Sequence, residues 1–253
     1  MSAASFSYTV PARAALAGNP SDGHGGAVVA TVVPTLAATV SVTSSGSFCF
    51  DGRSDRFDQM ADLDRWLDRG GFVGDQPLLH AAASVLHRRF DADLLPHDFR
   101  VRTTIPRSLG LAGSSAIVIA AIRTMILAHS AHEWAHVLAA QPELIASLAL
   151  EAERDVLGIA AGLQDRVVQS LGGTVAMQFG ADHVRTVHGL DVGSYRALGP
   201  LPDGVFVAYR RGAGGDSGLV HRAADTDDDG FRAAMRHAAD AGRAAAAAIG
   251  GGR

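Results

Sequence analysis

The chain contains no lysine: all 22 basic side chains among its 253 residues are arginine. A Walker-type phosphate loop needs a Lys after its glycines, and a protein-kinase site needs a strand Lys for the same reach. Both are excluded. Cysteine is nearly absent as well. Cys49 stands alone, so no intrachain disulfide framework exists, which fits a reducing compartment. Long apolar runs are missing too. The one starting at Ala116 is broken by Arg123, too soon to span a bilayer. The opening residues lack the basic-then-apolar order of a secretory signal. A cytoplasmic chain with no membrane partner is expected. No block of basic residues occurs and the net charge is −4, which argues against nucleic acid as a partner.

What the chain has is ordinary folding material, 47% hydrophobic and 19% charged, and enough length to bury a sizeable core. The most informative stretch is Pro106-Arg107-Ser108-Leu109-Gly110-Leu111-Ala112-Gly113-Ser114-Ser115-Ala116, which runs into Ile117-Val118-Ile119-Ala120-Ala121. Gly110 and Gly113 permit backbone approaches that a Cβ would forbid. Ser114 and Ser115 add hydroxyls where the first helical N–H groups lack partners. A helix opening this way presents aligned donors and a positive dipole end to an anion such as phosphate. A Ser-capped core helix is the plainer alternative.

The rest of the chain reads as strands first, then helices. Phe6 to Val10, Ala27 to Val33 and Thr39 to Val42 are rich in Val, Thr and aromatics. Asp58 to Arg69, ended by Gly70-Gly71, and Gln76 to Phe90 carry helical periodicity. Phe99 to Ile105 alternates like a strand and feeds the glycine loop. Helices are expected over Ser114 to His129, His132 to Ala139, Glu143 to Leu157 and Leu163 to Leu171. Strands follow at Thr174 to Phe179 and Val184 to Val187. The polar, Gly- and Pro-bearing segment Gly189 to Asp203 is a candidate domain boundary. Beyond it come a strand at Val205 to Arg210, a glycine loop at Gly212 to Gly218 and a helix from Asp228 to Ile249.

Three segments in order carry a resemblance. Pro11 to Gly26, with Arg13 and Asp22, resembles the first motif of the GHMP superfamily, the galactokinase, homoserine kinase, mevalonate kinase and phosphomevalonate kinase group. The loop from Pro106 to Ala116 resembles its ATP-phosphate motif. Gly158-Ile159-Ala160-Ala161-Gly162-Leu163-Gln164-Asp165-Arg166-Val167-Val168-Gln169, before Gly172-Gly173, looks most like glucuronokinase within that superfamily. Asp216-Ser217-Gly218 with Val220-His221 is similar to a further glucuronokinase segment. The resemblance implies an α+β fold, with a ribosomal-S5-domain-2-like N-terminal domain over residues 1–199. It implies that residues 200–253 begin a ferredoxin-like C-terminal domain that is left incomplete.

The same resemblance implies ATP and Mg²⁺ as cofactors and a sugar acid as substrate, phosphorylated at its anomeric hydroxyl. It makes Asp165 the catalytic base and Arg13 its electrostatic partner. It assigns the ATP phosphates to Pro106, Leu109, Gly110, Leu111, Ala112, Gly113, Ser114, Ser115 and Ala116. Asp22, Gly162, Gln164 and Ser217 fall on the substrate side. Ser114 and Glu153 fall to the metal, with Glu151 a weaker rival because the spacing from Glu153 to Asp165 is one residue off. Other outcomes stay open: a galacturonate kinase, a chain without catalysis of its own, or one completed by a partner that supplies the rest of the second domain.

On spacing alone Asp165 is also a plain helix-start carboxylate, Asp22 an Asx-turn residue and Arg13 a loop arginine. His132-Glu133-Trp134-Ala135-His136 has the spacing of a zinc-binding helix, with Glu151 and Glu153 downstream as third ligands. That reading leaves the glycine loop unexplained, so the stretch is read as a connecting helix.

Overall fold

In the computed structural model, one long strand organises the fold. The structure describes residues 5–52, 56–68, 76–93, 95–209 and 229–251. β1 (Ser5–Ala17) and β2 (Ala27–Ser44) form an antiparallel ribbon joined through a 3₁₀ turn at Ser21–His24. Ala27 to Val33 and Thr39 to Val42, expected as separate strands, are one. Pro34 does not end it, because the register shifts there: Pro11 faces Ala37 while Ala12 faces Val33. The extra β2 residues bulge out, which is where a strand tolerates a residue lacking an N–H. Along the ribbon Val10, Ala12, Ala38, Val40 and Val42 are buried at alternate positions, the period-2 pattern of a half-buried sheet.

The remaining strands are β3 (Phe48–Phe50), β4 (Arg56–Phe57), β5 (His97–Thr103), β6 (Thr174–Gln178), β7 (Arg185–Val187), β8 (Leu190–Val192) and β9 (Ser194–Leu198). The main sheet has seven strands in the order β4-β3-β5-β2-β6-β9, with β1 paired to β2 off that path. β7 and β8 make a small separate hairpin. β5 and β6 share β2, antiparallel: β5 ends with Thr103 opposite Ala38, and β6 starts with Thr174 opposite Thr31. The chain leaving β5 and the chain entering β6 therefore meet at the middle of β2. Arg13, opposite Val32 on β1, sits at the same level.

The helices are α1 (Met60–Asp68), α2 (Gln76–Phe90), α3 (Gly113–Ala128), α4 (Glu133–Ala140), α5 (Pro142–Glu151), α6 (Gln164–Leu171) and α7 (Asp229–Gly250). α3 is apolar on every side, from Ala116 to Ile122 without interruption, and is accordingly buried at the centre. It packs among β1, β2, α2, α5 and α6. α7 lies against β1 and β2, where Gly242 approaches the Ala27 carbonyl so closely that no Cβ would fit.

Expectations change at two elements. The helix expected over Glu143 to Leu157 leaves α-geometry after Glu151 and closes with a π turn at Ala152–Val156. A π turn accommodates one extra residue within a helix, and Glu153 lies inside it. The polar segment Gly189 to Asp203 carries β8 and β9, and β9 pairs with β6 in the main sheet. Of the strand expected at Val205 to Arg210, the described residues Val205 to Tyr209 form none: Phe206 is 89% exposed, and among the described residues no strand pairs with them. Gly70-Gly71, the loop Gly212 to Gly218 and the segment holding Ser217 and His221 lie outside the described residues.

Candidate active site

The glycine loop takes a conformation that its sequence only partly announces. Ser108 (φ 57°), Gly110 (φ 68°) and Ala112 (φ 58°) are all left-handed. Left-handed residues at alternate positions gather backbone N–H groups into concavities that suit anions. Gly110 fits its place as the residue that adopts this region freely. Gly113 does not need the freedom expected of it. It is the first residue of α3, and a Cβ there would meet Ile105 at an ordinary 3.4 Å. The left-handed position falls instead on Ala112, at a cost of about 1–2 kcal/mol for a residue with a Cβ. Among the described residues no side chain caps α3, which leaves its first amides without a side-chain acceptor.

The two serines part company. Ser114 is exposed at this mouth. Ser115 is buried and turned inward, its hydroxyl donating to Gln169 Oε1 (2.7 Å) and lying 3.2 Å from the Ala112 carbonyl. Of the two serines expected as alternatives for a metal or phosphate contact, Ser114 is therefore the one whose hydroxyl is placed to make it. Leu111 and Ala116 are likewise buried, so their contribution to an anion site is through the backbone.

Arg13 and Asp165 meet as expected, although 152 residues separate them. Arg13 Nε donates to Asp165 Oδ1 at 2.6 Å, with Nη2 ion-paired to the same oxygen at 2.6 Å, while Nη1 donates to the Gly110 carbonyl at 2.8 Å. The Arg13 amide also donates to the Leu111 carbonyl, at 3.3 Å. One guanidinium thus fastens the glycine loop to the first turn of α6. Both side chains keep slight access to solvent, 12% and 20%.

Three residues expected on the substrate side cluster next to this pair. Asp22 Oδ2 accepts from the Gln164 amide at 3.3 Å, and Gly162 sits so near that a Cβ would come within 2.1 Å of that oxygen. The Gln164 side chain donates to Asn19, which leaves its own Oε1 buried and unpartnered among the described residues. Burial, and next the charge of Asp165, push the Asp22 carboxyl above its ordinary value, against the N–H groups of Gln164 and Gly23 and the charge of Arg166.

Glu153 is not the open acidic ligand expected. It is wholly buried and ion-paired with Arg166, whose Nη1 also donates to the Gly162 carbonyl at 2.6 Å. Glu153 Oε1 has no partner among the described residues. Its rival Glu151 is taken by Arg89 at 2.9 Å. Among the described residues no group of three or more His, Cys, Asp or Glu side chains gathers to hold a metal, His132 and His136 included. A cation that keeps its waters and borrows phosphate oxygens needs fewer protein donors. The exposed Ser114 hydroxyl fits that requirement, whereas Glu153 is enclosed and already paired with Arg166.

The GHMP kinases N terminal domain matches residues 77–173. The chain carries the N-terminal domain of the GHMP kinases. Glucuronokinase 1 of Arabidopsis thaliana is 33% identical over 189 residues, covering 71% of this chain and 51% of that protein. Probable glucuronokinase 2 of the same plant is 30% identical over 226 residues, covering 85% and 59%. The chain spans about half the length of the curated relatives it matches. Among solved structures, D-glycero-D-manno-heptose 1-phosphate kinase from Bacteriodes thetaiotaomicron superposes with a TM-score of 0.56 at 21% identity. That match covers 76% of this chain and 59% of the other, and shows the GHMP kinase fold. Arg13, Asp22 and Asn19 precede the matched GHMP segment. The signal that reaches them is the loop ending in Gly25-Gly26, whose partners become evident only once β1 is set beside α6.

Proposed function

We propose that this chain supplies the phosphate-binding and sugar-binding half of a sugar-acid kinase, transferring the γ-phosphoryl group of ATP to the anomeric hydroxyl of D-glucuronate. The observation that carries the proposal is the single guanidinium of Arg13 joining Asp165 to Gly110 of the glycine loop. The amides of the loop and of the first turn of α3 receive the ATP phosphates, with the Ser114 hydroxyl beside them. Asp22, Gly162 and Gln164 form the sugar side, next to Asp165.

Asp165 accepts the proton of the anomeric hydroxyl as its oxygen bonds to the γ-phosphorus. The bond from that phosphorus to the bridging oxygen breaks, and ADP leaves with the electron pair. Arg13 balances the Asp165 charge and keeps the carboxylate facing the loop. Asp22, its carboxyl raised above the ordinary value by burial and then by the charge of Asp165, offers its oxygens to the sugar hydroxyls. A divalent cation such as Mg²⁺, held by the Ser114 hydroxyl and phosphate oxygens, would supply charge neutralisation to the phosphates. Phosphorus-31 NMR of the protein with ATP, Mg²⁺ and D-glucuronate tests the assignment. A proton-coupled anomeric phosphate signal supports it. Release of inorganic phosphate alone, or product only with galacturonate or a neutral sugar, contradicts the substrate named.

A further inference from the structure

We propose that Gln169 is a positioning residue, fixing the shape of the phosphate loop relative to the helix that bears Asp165. The proposal rests on the kinase reading above. Gln169 follows Asp165 by four residues on α6, so the two project from one side of the helix, a turn apart. The Gln169 side chain is buried, and every polar group on it is used. Nε2 donates to the Pro11 carbonyl at 2.8 Å and to the Ala112 carbonyl at 3.0 Å, while Oε1 accepts the Ser115 hydroxyl at 2.7 Å. The amide has one sensible orientation, since its reverse would set an oxygen against two carbonyls.

The partners are telling. Pro11 lies two residues before Arg13 on β1, Ala112 is the left-handed residue preceding α3, and Ser115 belongs to the first turn of α3. A single carboxamide thus ties α6 to β1, to the strained residue of the loop and to the helix start. One turn earlier on α6, Asp165 reaches the same loop through Arg13 and Gly110. α6 therefore grips the loop at two points, and the distance from carboxylate to loop amides is set by the rise of one helical turn. Without Gln169 the Ala112 carbonyl loses a donor and its backbone is released toward the ordinary helical region, which turns the amides away from the anion.

The test compares the chain with Gln169→Met, nearly equal in length and unable to donate. Amide hydrogen exchange is read across residues 108–115 without ligand, and ATP and glucuronate affinities are read by calorimetry. Gln169→Met is expected to exchange about tenfold faster in the loop and to bind ATP about tenfold more weakly, with β2 exchange and glucuronate affinity unchanged. Ser115→Ala removes one of the three bonds and is expected to move both readouts the same way, by about threefold. It decides the matter if Gln169→Met does not fold. Loop exchange and ATP affinity within twofold of the parent would overturn the role, as would equal losses of ATP and glucuronate affinity. If the parent chain binds no ATP, the kinase reading fails, and the loop-exchange comparison alone still decides whether Gln169 shapes the loop.

Discussion

Arg13 grips one oxygen of Asp165 with two of its nitrogens, Nε and Nη2, both at 2.6 Å from Oδ1. Oδ2 takes neither, so one carboxylate oxygen orients the acid while the other stays available for a proton. Asp165→Asn keeps the size and a carbonyl for Arg13 but cannot act as a base. It is expected to lower kcat by about 10²–10⁴ while leaving the ATP dissociation constant within a factor of about two. Steady-state kinetics paired with calorimetry check this.

Arg13→Met removes the link from Asp165 to the glycine loop in one step. Stability is expected to fall by about 1–3 kcal/mol, the scale of a hydrogen bond to a charged group where some solvent access remains. Turnover falls with it. Arg13→Lys keeps the charge without the two-armed contact and should recover only part of either loss. Urea unfolding followed by circular dichroism measures the stability difference.

How far these relationships could be seen beforehand varies from residue to residue. α2 spans Gln76 to Phe90, as its periodicity indicates, because Gln76, Pro77 and the flanking glycines mark its start in the chain itself. Arg13 and Asp165 were nameable only through motif resemblance, since nothing local brings a strand residue to a helix 152 positions away. Pro34 reads as a strand break but is absorbed by a register shift that exists only in the pairing of β1 with β2. The Glu153–Arg166 pair was hidden because Glu153 lies in the π turn at Ala152–Val156, a departure from α-geometry that side-chain periodicity does not mark. Val205 to Tyr209 has a strand-like composition, yet such a pattern becomes a strand only when a neighbour supplies hydrogen bonds.

Gly162 stands where a Cβ would come within 2.1 Å of Asp22 Oδ2. In Gly162→Ala the Asp22 carboxyl must move, and a flexible side chain moves at little cost to the fold. The expected result is a rise of about tenfold or more in the glucuronate KM, with kcat and Tm little changed. An unchanged KM would remove Asp22 from the sugar side.

His80 provides a pH-dependent prediction away from the site. It is fully buried, stacked on Trp66 at 4.0 Å between Phe50 and Phe57, with Nδ1 on the Gln76 carbonyl at 2.7 Å and Nε2 unpartnered among the described residues. Burial lowers its pKa from 6.5 to about 4. Between those values the unfolded chain binds the extra proton, so this stabilisation is complete above pH 6.5 and is lost as the pH falls toward 4. The loss is about 3 kcal/mol. Urea unfolding at several pH values should show this slope in the parent chain and a shallower one in His80→Gln.

A structure of the chain bound to a non-hydrolysable ATP analogue tests the central claim most directly. The account predicts the terminal phosphates on the amides of Gly110 to Ser114, with Asp165 facing the γ-phosphate and Arg13 still joining the two. Phosphates bound elsewhere on the chain, or an Asp165 turned away from them, would contradict it.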